Sequence, residues 1–130
     1  MILLPDVNVT TDKIVLGCVL SGFQNHIKCS LSDMAKALDI SDSHYSRIEA
    51  GTANLTALQL NEVLYKVNTT HIDFMYVFNC ACTIVEAHGI KFLPVDASKF
   101  MTIHKINKKQ LQSLIDTYIC NSIAGLQILF

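Results

Sequence analysis

The 130-residue chain lacks any hydrophobic run long enough to cross a membrane. Its longest weakly charged stretches, residues 74–85 and 119–130, have 12 residues each, whereas a spanning helix needs ~20. The first residues, MILLPDVNVTTDK, have no basic segment before their apolar part, and Pro5 and Asp6 follow it closely. That pattern is not typical of a signal peptide. We therefore expect a cytoplasmic protein without a membrane partner.

Charged side chains are scarce as well. They make up 16% of the chain, while hydrophobic residues make up 51%. This composition favours a packed core over disorder, and the apolar excess suggests that part of the surface meets another copy of the chain. The formal net charge is −1, so charge alone would not bind a polyanion strongly.

The sequence has no Cys-x-x-Cys motif, and its five cysteines are an odd number. In a cytoplasmic chain we expect free and mostly buried thiols. The alternative is a metal or redox site built from Cys80, Cys82 and His88. Two cysteines at this spacing on a helix point ~200° apart, which suits a single metal badly.

Motifs of the common enzyme classes are also missing. We find no nucleophile elbow, phosphate-binding loop, HExxH zinc motif or paired carboxylates. The histidines are scattered along the chain, at His26, His44, His71, His88 and His104. We expect no catalytic residue, no metal and no cofactor, and hence a binding protein rather than an enzyme.

Helix signals follow one another closely from residue 11 to about residue 79. The first predicted helix starts near Thr11 or Asp12. Capping hydroxyls open the next four, at Ser30, Ser41, Thr56 and Thr70. Asp39 and Gly51 suit left-handed helix ends. Gly17 weakens the first helix by ~1 kcal/mol relative to Ala, unless it permits close helix packing. Five helices with short loops predict a compact all-α bundle.

Residues 30–51 read SLSDMAKALDISDSHYSRIEAG. They combine a capping serine (Ser30), an apolar pair (Met34-Ala35), a β-branched residue in a turn (Ile40), a second capping serine (Ser41), the segment Ser46-Arg47-Ile48-Glu49 and a terminal glycine (Gly51). With this rhythm, residues 11–79 resemble the lambda-repressor-like, xenobiotic-response-element type of helix-turn-helix domain. The resemblance implies five helices and a recognition helix, residues 42–50, that enters the major groove. Leu31, Asp42 and Leu55 depart from the family pattern, which usually has Gln, a basic residue and Pro at these positions.

The recognition helix is expected to turn Tyr45, Ile48 and Glu49 inward, with Glu49 as a structural tie. Arg47 is the best candidate for a bidentate guanine contact, worth ~1–3 kcal/mol of discrimination. Asp42 either accepts from a cytosine amino group or stabilises the start of its helix. The full set of candidate DNA-binding residues is Ser30, Leu31, Ser41, Asp42, Ser43, His44, Ser46, Arg47 and Asn54. The alternative for each is a solvated surface residue.

Residues 80–130 lie outside the resemblance. Residues 89–100 and 100–106 read as two extended segments that could form a small hairpin, and a final helix follows Asn107. About fifty residues cannot bury so much apolar surface alone, so we expect this region to form a homodimer that places two recognition helices ~34 Å apart. The alternative is a layer that only packs on the helical domain.

The expected fold is therefore mainly α: a five-helix, lambda-repressor-like helix-turn-helix domain at residues 11–79, with a small C-terminal α or α+β dimerisation region at residues 80–130. The favoured function is a sequence-specific transcriptional regulator, such as a repressor, that binds double-stranded DNA as a homodimer. An unidentified protein or small-molecule effector is compatible with it. The alternative is a protein-interaction module or antitoxin-like protein on the same frame, with weak or no DNA binding.

Overall fold

The structure, a computed structural model, describes residues 8–92, 104–105 and 109–117. This part of the chain is mainly helical, as predicted. Its helices are α1 (Asp12–His26), α2 (Leu31–Ala37), α3 (Asp42–Glu49), α4 (Ala57–Lys66) and α5 (His71–Ala87), and residues 109–117 are helical and are labelled α6. Three short strands accompany them: β1 (Asn8–Thr10), β2 (Lys91–Phe92) and β3 (His104–Lys105).

Helices α1 to α5 each begin at a capping hydroxyl. The side chains of Thr11, Ser30, Ser41, Thr56 and Thr70 accept a hydrogen bond from the backbone N–H three residues later. Each bond satisfies an amide that the first helical turn leaves unpaired, and such a cap stabilises a helix by ~1 kcal/mol. At Ser30 the capping box is complete, and the hydrogen bonds from Ser30 lower the pKa of Asp33. The predicted helix starts are confirmed.

The same five helices end alike. The residue after each C-cap has a positive φ between 55° and 78°, at Lys28, Asp39, Gly51, Asn68 and Gly89. The following N–H then bonds back to the carbonyl five residues earlier, as from Ile40 to Ala35 at 3.0 Å, which is the Schellman motif. The residue that donates this bond can turn inward, as Ile40 and Ile90 do. These endings keep the turns between helices short.

One hydrophobic core joins the helices, and α6 belongs to it. Phe23 of α1 and Phe74 of α5 pack with ring centroids 5.7 Å apart. Leu111 and Ile115 of α6 are fully buried in the same cluster. Gln112 Nε2 donates to the Cys18 carbonyl of α1 at 2.9 Å. The described part of the C-terminal region therefore packs on the helical domain of its own chain, while the dimer stays a prediction.

The strands form one parallel sheet with the order β2-β1-β3. β1 lies in the middle, with Val9 opposite Lys91 of β2 and Asn8 opposite His104 of β3. The expected hairpin is therefore wrong for the described strands, which flank β1 instead of pairing with each other. Neighbours in sequence suggested a hairpin, but the N-terminal strand offers hydrogen-bonding edges to both. Residues 93–103, which make up most of that hairpin, lie outside the described residues, as do residues 118–130 of the predicted final helix.

The expected boundary between the two predicted regions falls inside a helix. α5 runs from His71 to Ala87 without interruption and packs on α1, α4 and β2. The regions 11–79 and 80–130 thus share one helix and, through α6, one core.

Candidate nucleic-acid interface

Helices α2 and α3 form the helix-turn-helix pair. The turn between them contains Asp39, whose φ is 56°, and Ile40, which packs against the core. α3 packs on α1 and α2, and its Tyr45 and Ile48 are 0% and 3% exposed. The prediction that these two side chains face inward is confirmed.

Helix α1 approaches the end of α3 very closely at Gly17. A Cβ atom at this position would lie 2.0 Å from the carbonyl oxygen of Glu49, so only glycine fits without a shift. One turn later, Ser21 Oγ donates to Glu49 Oε2 at 2.6 Å. Glu49 is thus the structural tie that was expected, and the sequence could not identify its partner, which is 28 residues away.

The outward side of α3 is polar. Asp42, Ser43, Ser46 and Arg47 are exposed, and His44 is half-buried. Because each residue advances ~100° around a helix, the four exposed side chains share the side opposite the buried ones. We call these four side chains the reading face. The Arg47 carbonyl accepts from the N–H groups of Thr52 and Ala53, while its side chain extends from an exposed position.

Asp42 makes a contact that sequence reasoning missed. Ser32 Oγ donates to Asp42 Oδ2 at 2.5 Å, which joins the first turns of α2 and α3. Neither role expected for Asp42 included this bond. The two residues are ten positions apart, so only the angle between the helices brings them together.

The other candidate residues differ in what their side chains do. Ser30 and Ser41 are exposed, but their hydroxyls cap α2 and α3. Leu31 is half-buried and packs against the core, so its backbone amide is the polar group that it offers. Asn54 is exposed in the loop after α3.

Of the alternative site, Cys80 and Cys82 lie on α5 and His88 is the residue after its end. No group of three or more His, Cys, Asp or Glu within residues 8–92, 104–105 and 109–117 is arranged to hold a metal ion. Cys80 and Cys82 are free thiols. Burial, with smaller contributions from Asp12 and Glu86, raises the pKa of Cys82 to about 11, so this thiol stays protonated and weakly reactive near neutral pH.

A second kind of surface lies on α4 and α5. Leu58 and Tyr65 of α4 are 76% and 88% exposed, and Ile72, Met75 and Tyr76 of α5 are 82%, 46% and 57% exposed. We call these five side chains the apolar faces. On each helix they lie opposite the buried side chains, and exposed apolar groups of this size are typical of protein contacts. Within the described part of the chain, no helix is long and apolar enough to span a membrane.

No protein-family model and no curated protein matches the chain. Among solved structures, the chain is similar to the crystal structure of the clp gene regulator ClgR from Corynebacterium glutamicum, with a TM-score of 0.57 and 19% sequence identity. The likeness covers 65% of this chain and 86% of that chain. The likeness shows that the two chains share a fold, whereas membership of the xenobiotic-response-element family stays a prediction.

Proposed function

We propose that the protein is a DNA-binding transcriptional regulator, and specifically a repressor, that reads the major groove with α3. The observation that carries the proposal is the reading face. It is a polar helix surface on the second helix of a helix-turn-helix pair, in the position that such motifs present to base edges. The fold shared with a protein named as a gene regulator supports it.

Three side chains of the reading face, and His44 beside it, have a chemical role in this proposal. Arg47 carries a planar fork of donors that matches the O6 and N7 acceptors of guanine. Ser43 and Ser46 are short groups that both donate and accept, so they suit a base edge or a phosphate. His44 lies at the margin and is half-buried, which restricts it to a contact at the edge of the groove.

Charge makes dimerisation part of the proposal. Residues 11–79 contain five basic and seven acidic side chains, a net charge of −2, so a single domain would gain little from phosphate contacts. A homodimer doubles the contacts of each kind. The sequence predicts residues 80–130 as the dimer region, while the exposed apolar side chains of α4 and α5 offer a surface for the same purpose.

The test is fluorescence anisotropy with the DNA upstream of the protein's own gene and with a scrambled duplex, over a series of salt concentrations. Arg47→Ala should weaken binding to the native duplex by roughly 5- to 150-fold, which corresponds to ~1–3 kcal/mol for a bidentate contact. Its effect on the affinity for the scrambled duplex should be smaller. Arg47→Lys is the matched control, because it keeps the charge but loses the fork. It should preserve the salt dependence and lose most of the discrimination.

A second candidate function is supported by the apolar faces. A protein-interaction module or antitoxin-like protein would use these side chains to bind another protein, and the acidic balance of residues 11–79 would not hinder it. Equal and weak binding to both duplexes, unchanged by Arg47→Ala, together with tight binding of a partner protein, would favour this candidate. In either case we propose that the protein acts by binding and not by catalysis.

A further inference from the structure

The hydrogen bond between Ser32 and Asp42 lies at the edge of the reading face. Ser32 is the second residue of α2 and is half-buried, while Asp42 is the first residue of α3 and is exposed. The bond of 2.5 Å from Ser32 Oγ to Asp42 Oδ2 crosses from one helix to the other. It holds the carboxylate in one place at the surface that the proposed function assigns to DNA.

The protons of this pair are already used. A serine hydroxyl has a single proton to donate, and an ionised carboxylate has none. Since Ser32 gives its proton to Oδ2, both side chains offer only acceptors outward: the lone pairs of Ser32 Oγ and the second carboxylate oxygen, Oδ1.

An acceptor-only pair matches few groups in DNA. In the major groove, cytosine presents its N4 amino donor alone, whereas adenine places the N7 acceptor beside its amino group. Guanine and the thymine carbonyl present acceptors, and phosphate oxygens carry negative charge as well. Acceptors facing acceptors, or a carboxylate facing a phosphate, are unfavourable.

We propose that the Ser32–Asp42 pair is a specificity determinant that accepts a hydrogen bond from a cytosine N4 amino group and disfavours other bases and misplaced phosphates. Ser32 is the positioning residue, because its bond fixes the carboxylate before DNA arrives. The inference rests on the proposed function, and it assigns one base position to a pair of side chains within that function.

The competing role for Asp42 is purely structural. A carboxylate in the first turn of a helix stabilises the helix through its dipole, and a bond between two helices stabilises their packing. Either effect would lower stability when Asp42 is replaced, but neither would make the protein prefer one base. The decisive measurement is therefore base preference and not melting temperature.

The experiment begins with duplexes selected from a randomised library by the wild-type protein. In the selected duplex, each cytosine is then replaced singly by an analogue with hydrogen in place of the 4-amino group. Wild type should lose on the order of tenfold in affinity at one cytosine per half-site, as expected for one specific base contact. For Asp42→Ala this loss should disappear, and for Ser32→Ala it should shrink while the carboxylate remains. Thermal unfolding by circular dichroism verifies that each variant is folded.

Glu62→Ala is the matched control, since Glu62 is an exposed carboxylate of α4, and this variant should keep the full analogue penalty. Asp42→Ala should also bind the scrambled duplex more tightly, because a negative charge has left the DNA-facing side. An analogue penalty equal in wild type and Asp42→Ala would overturn the inference alone, as would the lack of a penalty at every cytosine in the wild-type complex. Absence of any selected sequence for wild type would overturn the proposed function and the inference with it.

Discussion

The exposed side of α3 and the exposed sides of α4 and α5 carry opposite chemistry. α3 presents short polar groups and one guanidinium, whereas α4 and α5 present leucine, isoleucine, methionine and two tyrosines. Groups with fixed donors and acceptors suit base edges, while large apolar side chains gain free energy by leaving water. Under the proposed functions, DNA contact and protein contact would belong to different helices, so each surface can be changed while the other is kept.

The two surfaces also differ in how they are held. α3 has 8 residues and buries Tyr45 and Ile48, while α5 has 17 residues and buries four side chains. Helices this short are unstable in isolation, so the position of α3 depends on its neighbours. Gly17 and Ser21 of α1 supply two of those contacts, a close backbone approach and a hydrogen bond to Glu49. The reading face is therefore more easily displaced than the exposed side of α5.

Gly17→Ala is expected to have the largest effect, because it disturbs the packing that holds the reading face. The new Cβ would lie 2.0 Å from the Glu49 carbonyl oxygen, so α1 and α3 must separate. We expect a loss of ~3 kcal/mol in the free energy of unfolding, the upper end of the usual range for overpacking, and a loss of DNA binding with it. Urea unfolding monitored by circular dichroism measures the first, and anisotropy measures the second.

Gly89→Ala is the control for this variant. Gly89 has a φ of 77° but nothing within 4 Å of an added Cβ, so only backbone strain of ~1 kcal/mol is expected. Equal destabilisation by the two substitutions would contradict the argument that close packing of α1 on α3 fixes the reading face.

Tyr65→Ser combined with Ile72→Ser alters the apolar faces and leaves the reading face unchanged. Both residues are more than 80% exposed, so the fold should keep its stability to within ~0.5 kcal/mol. If the apolar faces form the dimer contact, self-association should weaken by roughly 30-fold, which corresponds to a hot-spot loss of ~2 kcal/mol. Sedimentation equilibrium measures the association constant. The control is Asn61→Ser, which replaces an exposed polar residue of α4. Unchanged association of a dimeric protein would assign the contact to residues 80–130.

The features that sequence reasoning found are those encoded within a few residues. A capping hydroxyl and its amide are three positions apart, so Ser30 and Thr56 could be recognised directly as helix starts. The inward positions of Tyr45 and Ile48 follow from the helical period, and the exposed positions of Ser43, Ser46 and Arg47 follow from the same period.

The features that it missed depend on the folded chain. Gln112 bonds to Cys18 across 94 positions, and Ser32 bonds to Asp42 across ten. The central place of β1 in the sheet has the same origin, because strand pairing over this distance leaves no local pattern. Lys28 adopts a positive φ of 57°, a conformation that lysine seldom takes. The Schellman motif at the end of α1, which includes Lys28, explains it.

Ser21→Ala should have a moderate effect on how α3 is held. The substitution removes the hydroxyl that donates to Glu49 Oε2, and a hydrogen bond to a charged group contributes ~1.5 kcal/mol or more. We expect a loss of that size in the free energy of unfolding, measured by urea titration. Ser113→Ala, at an exposed position of α6, should change stability by much less. Similar values for the two variants would show that the Ser21–Glu49 bond does not fix the end of α3.

Tyr45→Phe should have the smallest effect and the opposite sign, because it removes a polar atom from beneath the reading face. Tyr45 is fully buried, and its hydroxyl has no hydrogen-bond partner among the described residues. Burial, followed by the negative charge of Glu49, raises its pKa well above the usual 10.0. Loss of an unsatisfied buried hydroxyl should stabilise the fold by ~1 kcal/mol at pH 7.

The raised pKa of Tyr45 makes the same variant informative at high pH. The folded state keeps the phenol proton, while the unfolded state loses it above pH ~10. Ionisation of Tyr45 should therefore leave the wild-type free energy of unfolding unchanged below pH ~10 and lower it as the pH rises further. Tyr45→Phe should remove that decline, whereas Tyr65→Phe, at an 88% exposed position, should alter stability at neither pH. Destabilisation by Tyr45→Phe at pH 7 would mean that the hydroxyl is bonded in the folded protein. In that case a buried polar contact, and not apolar packing alone, would hold α3 in place.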